Sequence, residues 1–328
     1  MKVTSNLDEK DFEYFIKLFE FNISTLYPFS SKLTAKSIIE IHKKGIDPNG
    51  YFTKRKTIWK LVNEENTTLG FSVVTEKRGG SVKFGPSIVV KDYRHQGNGS
   101  ILRTLLEEHY KEIGYRKSYL TTNSTNTNAF SYLLKIGYKI ELHLKQHYTT
   151  KDDEFVLSKF LNENSKTFYD EPILSEKTKS DYGNHVIDYL KESYEEIDDT
   201  FYTNLTRSIS AEFVKNEENF IRKSKIKFDK KQDNFFAITS PKRGGCIKIS
   251  PLILSGNITI DKKNLEELIS SFSPKLFHKF YTFIPIDRIY DRKVLESLGF
   301  IIEGIFREPY KCGVDMFIVS LFNKAPNE

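Results

Sequence analysis

Apolar residues along the first part of the chain recur at two different periods, and each period predicts its own kind of element. Phe12, Phe15, Ile16 and Phe19 share one face at a spacing of three and four residues, which predicts a helix from Asp8 to about Asn22 capped by Asn6 or Asp8. Leu33 to Lys44 is a second helical run. Thr57–Val62 and Leu69–Thr75 are strand-like and are separated by the turn-like Asn63–Thr67. Gly79-Gly80 predicts a hairpin turn into a third strand, Val82–Val90. A helix then reaches Ile113, with Ile101, Leu102, Leu105, Leu106 and Ile113 as its buried face. Tyr119–Thr122 reads as a short strand and Ala129–Lys135 as a helix. Tyr138–Tyr148 and Phe155–Phe160 read as a closing hairpin. Strands in a meander followed by alternating strands and helices predict an α+β fold on a mixed sheet.

The pattern then repeats. Lys77-Arg78-Gly79-Gly80 returns as Lys242-Arg243-Gly244-Gly245, and Val82, Lys83, Pro86 and Ile88 return as Ile247, Lys248, Pro251 and Ile253. Leu133 to Tyr138 returns as Leu295 to Phe300 at an offset of 162 residues, followed by Ile140-Glu141 as Ile302-Glu303 and Tyr148 as Tyr310. Phe155, Ser158 and Phe160 return as Phe317, Ser320 and Phe322. A period this long is a whole domain rather than a solenoid repeat. The expectation is two copies of one fold, residues 1–165 and residues 166–328, joined through the polar stretch Glu163–Ser180 with Pro172.

Composition narrows the function classes. The chain has 328 residues, enough for two domains of ordinary size. A net charge of +6 without a tight basic tract does not indicate nucleic-acid binding. Two cysteines, Cys246 and Cys312, make no disulfide framework, and a reducing cytoplasmic setting is expected. No apolar run approaches the ~18 residues of a transmembrane helix, so no membrane partner is expected. The start of the chain lacks the apolar core of a signal peptide. No Cys, His, Asp or Glu cluster has metal-ligand spacing, so no metal is expected.

The chemistry concentrates in Arg94-His95-Gln96-Gly97-Asn98-Gly99, which follows the apolar Ile88-Val89-Val90 and opens a helix. Glycines at such a turn let the backbone come close to a ligand, and the first amides of the helix have no partner within it, so an anion fits there. The stretch has no Gly-Lys-Ser/Thr, and the third glycine of a dinucleotide fingerprint would fall at Leu102.

The spacing Arg-x-x-Gly-x-Gly resembles the acyl-coenzyme A pyrophosphate loop of the GNAT N-acetyltransferases. Asn126-x-x-Ala129 followed by Leu133-x-x-x-Gly137-Tyr138 resembles the same family's signature around the helix beside coenzyme A. The resemblance implies two tandem GNAT-like domains, each a mixed central sheet flanked by helices, and acetyl-coenzyme A as co-substrate. It implies that Arg94, His95, Gln96, Gly97, Asn98, Gly99 and Ser100 wrap the pyrophosphate, with Asn126 also on the coenzyme. Main chain at Val89 and Val90 would pair with the pantetheine arm, and an amide near Val89 would polarise the thioester carbonyl.

The sequence departs from the family at the proposed general acid. The family tyrosine falls at Leu133, and Tyr132 is its neighbour, rotated by about 100° on a helix. Tyr132 is the catalytic candidate, with a packing role as its alternative. No base stands on the strand before the loop, where Lys83 and Ser87 are poor candidates. His143 and His147 are expected on one face of the following strand.

The second copy has Leu254-Ser255-Gly256-Asn257-Ile258-Thr259-Ile260 where the loop stood, with Asp261 expected to cap the next helix. Arg288 and Asp291 replace the Asn/Ala pair. This copy is expected to lack the coenzyme. An acidic run, Asp188, Glu192, Glu195, Glu196, Asp198 and Asp199, reads either as a solvated helix face or as a surface for a cationic amine. Trp59 reads as core or as a wall of the acceptor pocket. The expected activity is acetyl transfer to a primary amine of a small molecule. A peptide or protein amine, or a non-catalytic acyl-coenzyme A sensor, are the alternatives, and the oligomeric state stays open.

Overall fold

The computed structural model describes residues 1–23, 31–46, 51–148, 150–162, 172–207, 226–242 and 244–323. The chain forms two compact units, Met1–Leu120 with Lys159–Thr167, and Thr121–Ser158 with Phe168–Glu328.

The first unit runs β1 (Lys2–Thr4), α1 (Glu9–Ile23), α2 (Ser31–Lys44), β2 (Thr53–Val62), β3 (Thr68–Lys77), β4 (Ser81–Val89), α3 (Asn98–Glu112) and the start of β5 (Lys117–Asn123). Its strands lie in the order β1-β2-β3-β4-β5. All neighbours are antiparallel except β4 and β5, which are parallel. Asp8, rather than Asn6, caps α1: its Oδ1 accepts the Asp11 amide at 2.9 Å, and Asp11 Oδ2 accepts the Asp8 amide at 3.3 Å.

β2 and β3 are buried along most of their length because both faces of the sheet are covered. Phe12, Phe15 and Phe19 of α1 pack with Ile58, Phe71 and Ile88 on one face. Leu102, Leu106 and Tyr110 of α3 pack with Leu61, Val74 and Phe84 on the other. Ile113, expected on the buried face of α3, is 54% exposed. The helix stops at Glu112 and the chain turns at Gly114, so Ile113 leaves the helical register.

The second unit continues with α4 (Thr127–Lys135), β6 (Lys139–Leu144), β7 (Glu154–Phe160), α5 (Glu176–Tyr182), α6 (Asn184–Ser193), α7 (Asp199–Arg207), β8 (Ile226–Lys230), β9 (Phe235–Lys242), β10 (Cys246–Ile253), α8 (Ile258–Ser270), β11 (Lys279–Pro285), α9 (Ile289–Ser297), β12 (Ile301–Phe306) and β13 (Met316–Phe322). Strand order from β7 onward is β7-β6-β12-β13-β11-β10-β9-β8. The end of the expected linker is not a loop: Ser175 caps α5, its side chain accepting the Thr178 amide. The rest of that linker, 163–171, lies outside the described residues. Asn257, not Asp261, caps α8, its Oδ1 accepting the Thr259 and Ile260 amides. The second core gathers Ile247, Leu265, Leu268, Phe280, Leu295 and Val319 among others.

The repeat seen in the sequence is expressed in the order of the elements, β9-β10-α8-β11-α9-β12-β13 echoing β3-β4-α3-β5-α4-β6-β7. Within the second unit it is also expressed in contacts. β6 and β12 pair antiparallel at Leu142 and Gly304, positions that correspond to each other at the repeat offset. Glu141 accepts the Ser158 hydroxyl at 2.6 Å and the Arg307 amide at 3.1 Å. Its counterpart Glu303 accepts the Ser320 hydroxyl and the Lys145 amide, the latter at 2.6 Å. Lys145 and Arg307 are counterparts as well, so each carboxylate reaches to the amide that its counterpart leaves. The two sets of hydrogen bonds are reciprocal.

Glu303 also closes a buried ion pair with Lys279 at 2.7 Å, the two side chains 1% and 0% exposed. Lys279 Nζ donates in addition to the Lys145 carbonyl at 2.7 Å. Removing one charge of such a pair leaves the other buried without a counterion. Glu303→Gln is therefore expected to lower stability by about 3–5 kcal/mol in urea unfolding. A loss below about 1 kcal/mol, the scale of an exposed pair, would contradict this account.

Candidate functional site

The site begins where two parallel strands part. β5 pairs with β4 only from Ser81 to Lys83, opposite Lys117 to Tyr119. Between the Val74–Phe84 and Ser72–Ser87 pairs the register of β3 against β4 shifts, a bulge that falls at Gly85-Pro86, whose peptide bond is cis. Beyond it Ser87, Ile88 and Val89 stay on β3. The Val90 amide donates to the Leu69 carbonyl at 2.9 Å. Antiparallel pairs alternate in their hydrogen bonding, so the N–H and C=O of Val89 point away from β3, on the side that β5 has left. The Val89 carbonyl accepts from Arg94 Nε at 3.1 Å. Val90 is fully engaged inside the protein, its carbonyl accepting the Tyr93 amide at 2.9 Å. Of the two main-chain positions singled out in the sequence, Val89 alone offers an amide.

The loop from Arg94 to Ser100 is held open from within. Arg94 also hydrogen-bonds Asn22 through its guanidinium, so it braces the loop against α1 and β4. Gln96 Nε2 donates to the Asp92 carbonyl at 3.0 Å. Asn98, 3% exposed, donates to the Tyr93 carbonyl at 2.8 Å, and its buried Oδ1 has no partner. Gly97 has φ of 82°, a left-handed conformation in which a side chain is strained, and it precedes the first turn of α3. Its carbonyl accepts the Ser100 and Ile101 amides at 2.9 and 3.0 Å. Among the described residues, the main-chain amides of His95, Gln96, Gly97, Asn98 and Gly99 have no acceptor. A methyl added at Gly99 would meet only Val89 Cγ2, at 3.6 Å.

The remaining sequence candidates of the first half lie in the second unit. Asn126 caps α4, its Oδ1 accepting the Ala129 amide at 3.2 Å. Leu133 is buried in the protein, and the hydroxyl of its neighbour Tyr132 is buried without a hydrogen-bond partner. His143 and His147 do not share a strand face, because β6 ends at Leu144 and His147 lies in the turn beyond it. His143 Nε2 is 2.7 Å from Asp153 Oδ2 and its ring stacks on Phe155. Burial pushes the Asp153 carboxyl up, but hydrogen bonds from Gln146 and His143 outweigh it and hold it below the ordinary carboxylate range. His147 is buried against Tyr148 and Tyr281. In the first unit Trp59 is core: it donates to the Tyr110 hydroxyl at 3.2 Å beside His109, and Tyr110 donates to Glu76 at 3.2 Å.

In the second unit the same local design has a different content. β10 pairs with β11 from Cys246 to Ile249, and its register on β9 shifts between Ile249 and Leu252. The amides that follow are not free. Ser255 N donates to Asp261 Oδ1 at 2.8 Å and Gly256 N to Asp261 Oδ2 at 3.1 Å. Asp261 is fully buried and also accepts the Tyr290 hydroxyl at 2.6 Å. A carboxylate of the chain itself sits on these donors. The sequence taken alone gave Asp261 a capping role and missed this one; its signal was an acidic residue one turn into a helix that follows a glycine loop.

Much of the acidic run has structural partners. Glu192 pairs with Arg288 at 2.9 Å, and Glu195 accepts the Cys312 amide at 2.9 Å. Asp198 accepts the Phe201 amide at 2.8 Å, and Asp199 accepts the Thr178 hydroxyl at 2.7 Å. Those bonds, first from Thr178 and then from Ser175, hold the Asp199 carboxyl below its ordinary range. Among the described residues no group of three or more His, Cys, Asp or Glu is placed to hold a metal ion. No helix among them is long and apolar enough to cross a membrane.

No curated protein sequence matches this chain. Solved structures similar to part of this chain include a ribosomal-protein alanine N-acetyltransferase from Escherichia coli, at 16% identity and a TM-score of 0.39, with 52% of this chain and 99% of that one covered. A putative acetyltransferase of the GNAT family from Desulfovibrio desulfuricans has 13% identity and a TM-score of 0.42, with 48% and 98% covered. An aminoglycoside 6'-N-acetyltransferase complexed with coenzyme A has 14% identity and a TM-score of 0.40, with 51% and 100% covered. The model of the acetyltransferase (GNAT) family matches residues 25–138, which include β4, the Arg94–Ser100 loop and α4. The chain thus carries a GNAT acetyltransferase domain at residues 25–138, and it is an acyltransferase whose co-substrate is acetyl-coenzyme A.

Proposed function

We propose that residues 1–165 bind one acetyl-coenzyme A and transfer its acetyl group to a primary amine of a small molecule. The observation that carries this reading is the run of unengaged main-chain amides from His95 to Gly99 at the start of α3. Such donors, backed by the positive end of the helix dipole, suit the pyrophosphate of the coenzyme. The Arg94 charge adds to the field while the side chain braces the loop, and the Ser100 hydroxyl is a further donor. The Val89 amide is the candidate partner of the thioester oxygen, where negative charge develops as the amine attacks. The C–N bond forms, the C–S bond breaks, and the amine loses its proton to water. Tyr132 is the candidate that protonates the departing thiolate. This rests on its place beside the family position and on its unpartnered hydroxyl. Asn126, which caps α4, is the further residue that the family resemblance assigns to the coenzyme.

Residues 166–328 are, in this reading, a second copy of the fold that does not take the coenzyme. The repeated order of elements supports it, and so does Asp261 on the Ser255 and Gly256 amides. Free cysteines at Cys246 and Cys312 fit a reducing, cytoplasmic setting.

Titration calorimetry with acetyl-coenzyme A is expected to give one site per chain; two equivalent sites would refute the role given to Asp261. Gly97→Val forces a β-branched residue into a left-handed position and is expected to cost about 1–3 kcal/mol of stability, read by urea unfolding. Gly99→Val is expected to fold and to weaken coenzyme binding at least about tenfold, because its side chain stands where phosphate approaches the amides. Unchanged affinity in the folded variant would remove the loop from the site.

Thiol release over a panel of small-molecule amines and peptide amines tests the acceptor. Turnover on peptides alone would replace the small-molecule reading, and binding without turnover on every amine would favour a sensor. Tyr132→Phe is expected to keep coenzyme affinity and lower turnover by about 10²-fold, the scale of general acid catalysis. A turnover within twofold of the parent would leave Tyr132 a packing residue.

A further inference from the structure

The second unit has an open cleft of about 470 Å³ at the mouth of the parting between β10 and β11. Leu254, Ser255 and Gly256 line one side, and Asp287, Arg288 and Asp291 at the start of α9 line the other. The volume is that of a small-molecule site. The phosphate-binding character of this position is gone, because the nearest amides are held by Asp261.

What the cleft offers instead is an excess of negative charge, Asp287 and Asp291 against the arginine of its lining. Asp291 is 4% exposed, and its buried Oδ2 has no hydrogen-bond partner. A buried carboxylate oxygen without a donor is costly, and a ligand that brings an N–H removes that cost. Asp287 stands exposed on the same rim. The one cation on the lining is committed elsewhere: Arg288 donates to Glu192 at 2.9 Å and lies over the Tyr189 ring at 4.4 Å. A smaller adjoining cleft of about 230 Å³ shares Leu254, Ser255 and Arg288 and adds Asp188 and Glu192, members of the acidic run noted in the sequence.

We propose that this cleft is a binding site for a small organic cation, with a primary ammonium drawn to the carboxylate of Asp291 and Asp287 supplying further negative charge. An organic cation fits better than a metal ion, because the described residues there do not form a cluster of three metal-ligating side chains. The site goes beyond the acetyl-transfer reading and stands independently of the Arg94–Ser100 loop.

The acidity of Asp291 gives the site a pH signature. Burial pushes its carboxyl up to about 6, assisted by the charges of Asp261 on α8 and Asp287, and opposed by Arg288. Tyr189 of α6, itself buried and raised above the ordinary tyrosine range, faces the same carboxyl and stays neutral. The ionised form binds the cation, so affinity is full above pH 6 and is lost as pH falls through it. The loss approaches about tenfold for each further unit of pH.

The test is calorimetric titration of the full chain, without coenzyme, using spermidine as probe and a neutral aliphatic diol of similar length as control. Spermidine, and not the diol, is expected to bind at pH 7.5 and to bind about tenfold more weakly at pH 5. Asp291→Asn keeps the size of the side chain and removes its charge. It is expected to weaken binding about 10- to 100-fold and to abolish the pH dependence between pH 5 and 7.5. Asp287→Asn, at an exposed position, is expected to fold as the parent does and to weaken binding a few-fold. It decides the matter together with the parent's pH profile if Asp291→Asn does not fold. Gly99→Val is expected to weaken coenzyme binding and leave spermidine binding unchanged, which separates a failure here from a failure of the acetyl-transfer reading. No binding of spermidine to the parent up to millimolar concentration, or equal affinity in Asp291→Asn, would overturn the proposal.

Discussion

Parallel strand pairing that stops early is the constraint on which the functional parts of this chain depend. β4 keeps β5 only as far as Lys83, and β10 keeps β11 only as far as Ile249. In each case a register shift against the antiparallel neighbour comes just after, so the strand bends while remaining anchored on its other edge. A strand that loses one neighbour must find another partner for its main-chain groups or leave them to solvent and ligand. At Val89 the outward amide is left, and its carbonyl is taken by Arg94. The opening is therefore a product of backbone geometry, and side chains decide only what fills it.

The two openings have opposite chemical contents for a simple reason of charge. At His95 to Gly99 the chain offers N–H donors, and among the described residues no carboxylate accepts from them. At Ser255 and Gly256 it supplies one, the Asp261 carboxylate, fixed at hydrogen-bond distance and removed from solvent. An external phosphate would have to displace a carboxylate that is tethered one turn away and already accepts both amides. Filling the donors from within leaves the other side of the opening, with Asp287 and Asp291, to set the sign of the cleft.

Where β6 meets β12, specificity comes from reciprocity. Glu141 and Glu303 each take a serine hydroxyl of the neighbouring strand and one main-chain amide from the opposite strand's end. Glu303 also has a buried lysine partner, Lys279. Burying that ion pair adds little net stability over an apolar pair, but it penalises any register that separates the two charges.

The sequence by itself determined the elements and the loop. The helical period of Phe12, Phe15 and Phe19, the runs of β2 and β3, and Arg94–Gly99 before an amphipathic segment are local properties, and local sterics and hydrophobic period express them without help from the rest of the chain. The repeated motifs were legible too, because Lys77–Gly80 and Lys242–Gly245, and Leu133–Tyr138 and Leu295–Phe300, keep similar residues in the same order. Other assignments depended on partners distant in sequence. That Val90 is spent on Leu69 while Val89 faces outward follows from strand register, which is set across β3. That Asp261 serves as a resident anion, with Asn257 as the cap, depends on how a loop folds back over a helix. That Asp291 is buried without a donor depends on packing between α9 and α8, and that His147 leaves the strand depends on where β6 loses its pairing. A residue's type sets which bonds it can make, and only the tertiary structure decides which of those partners is within reach.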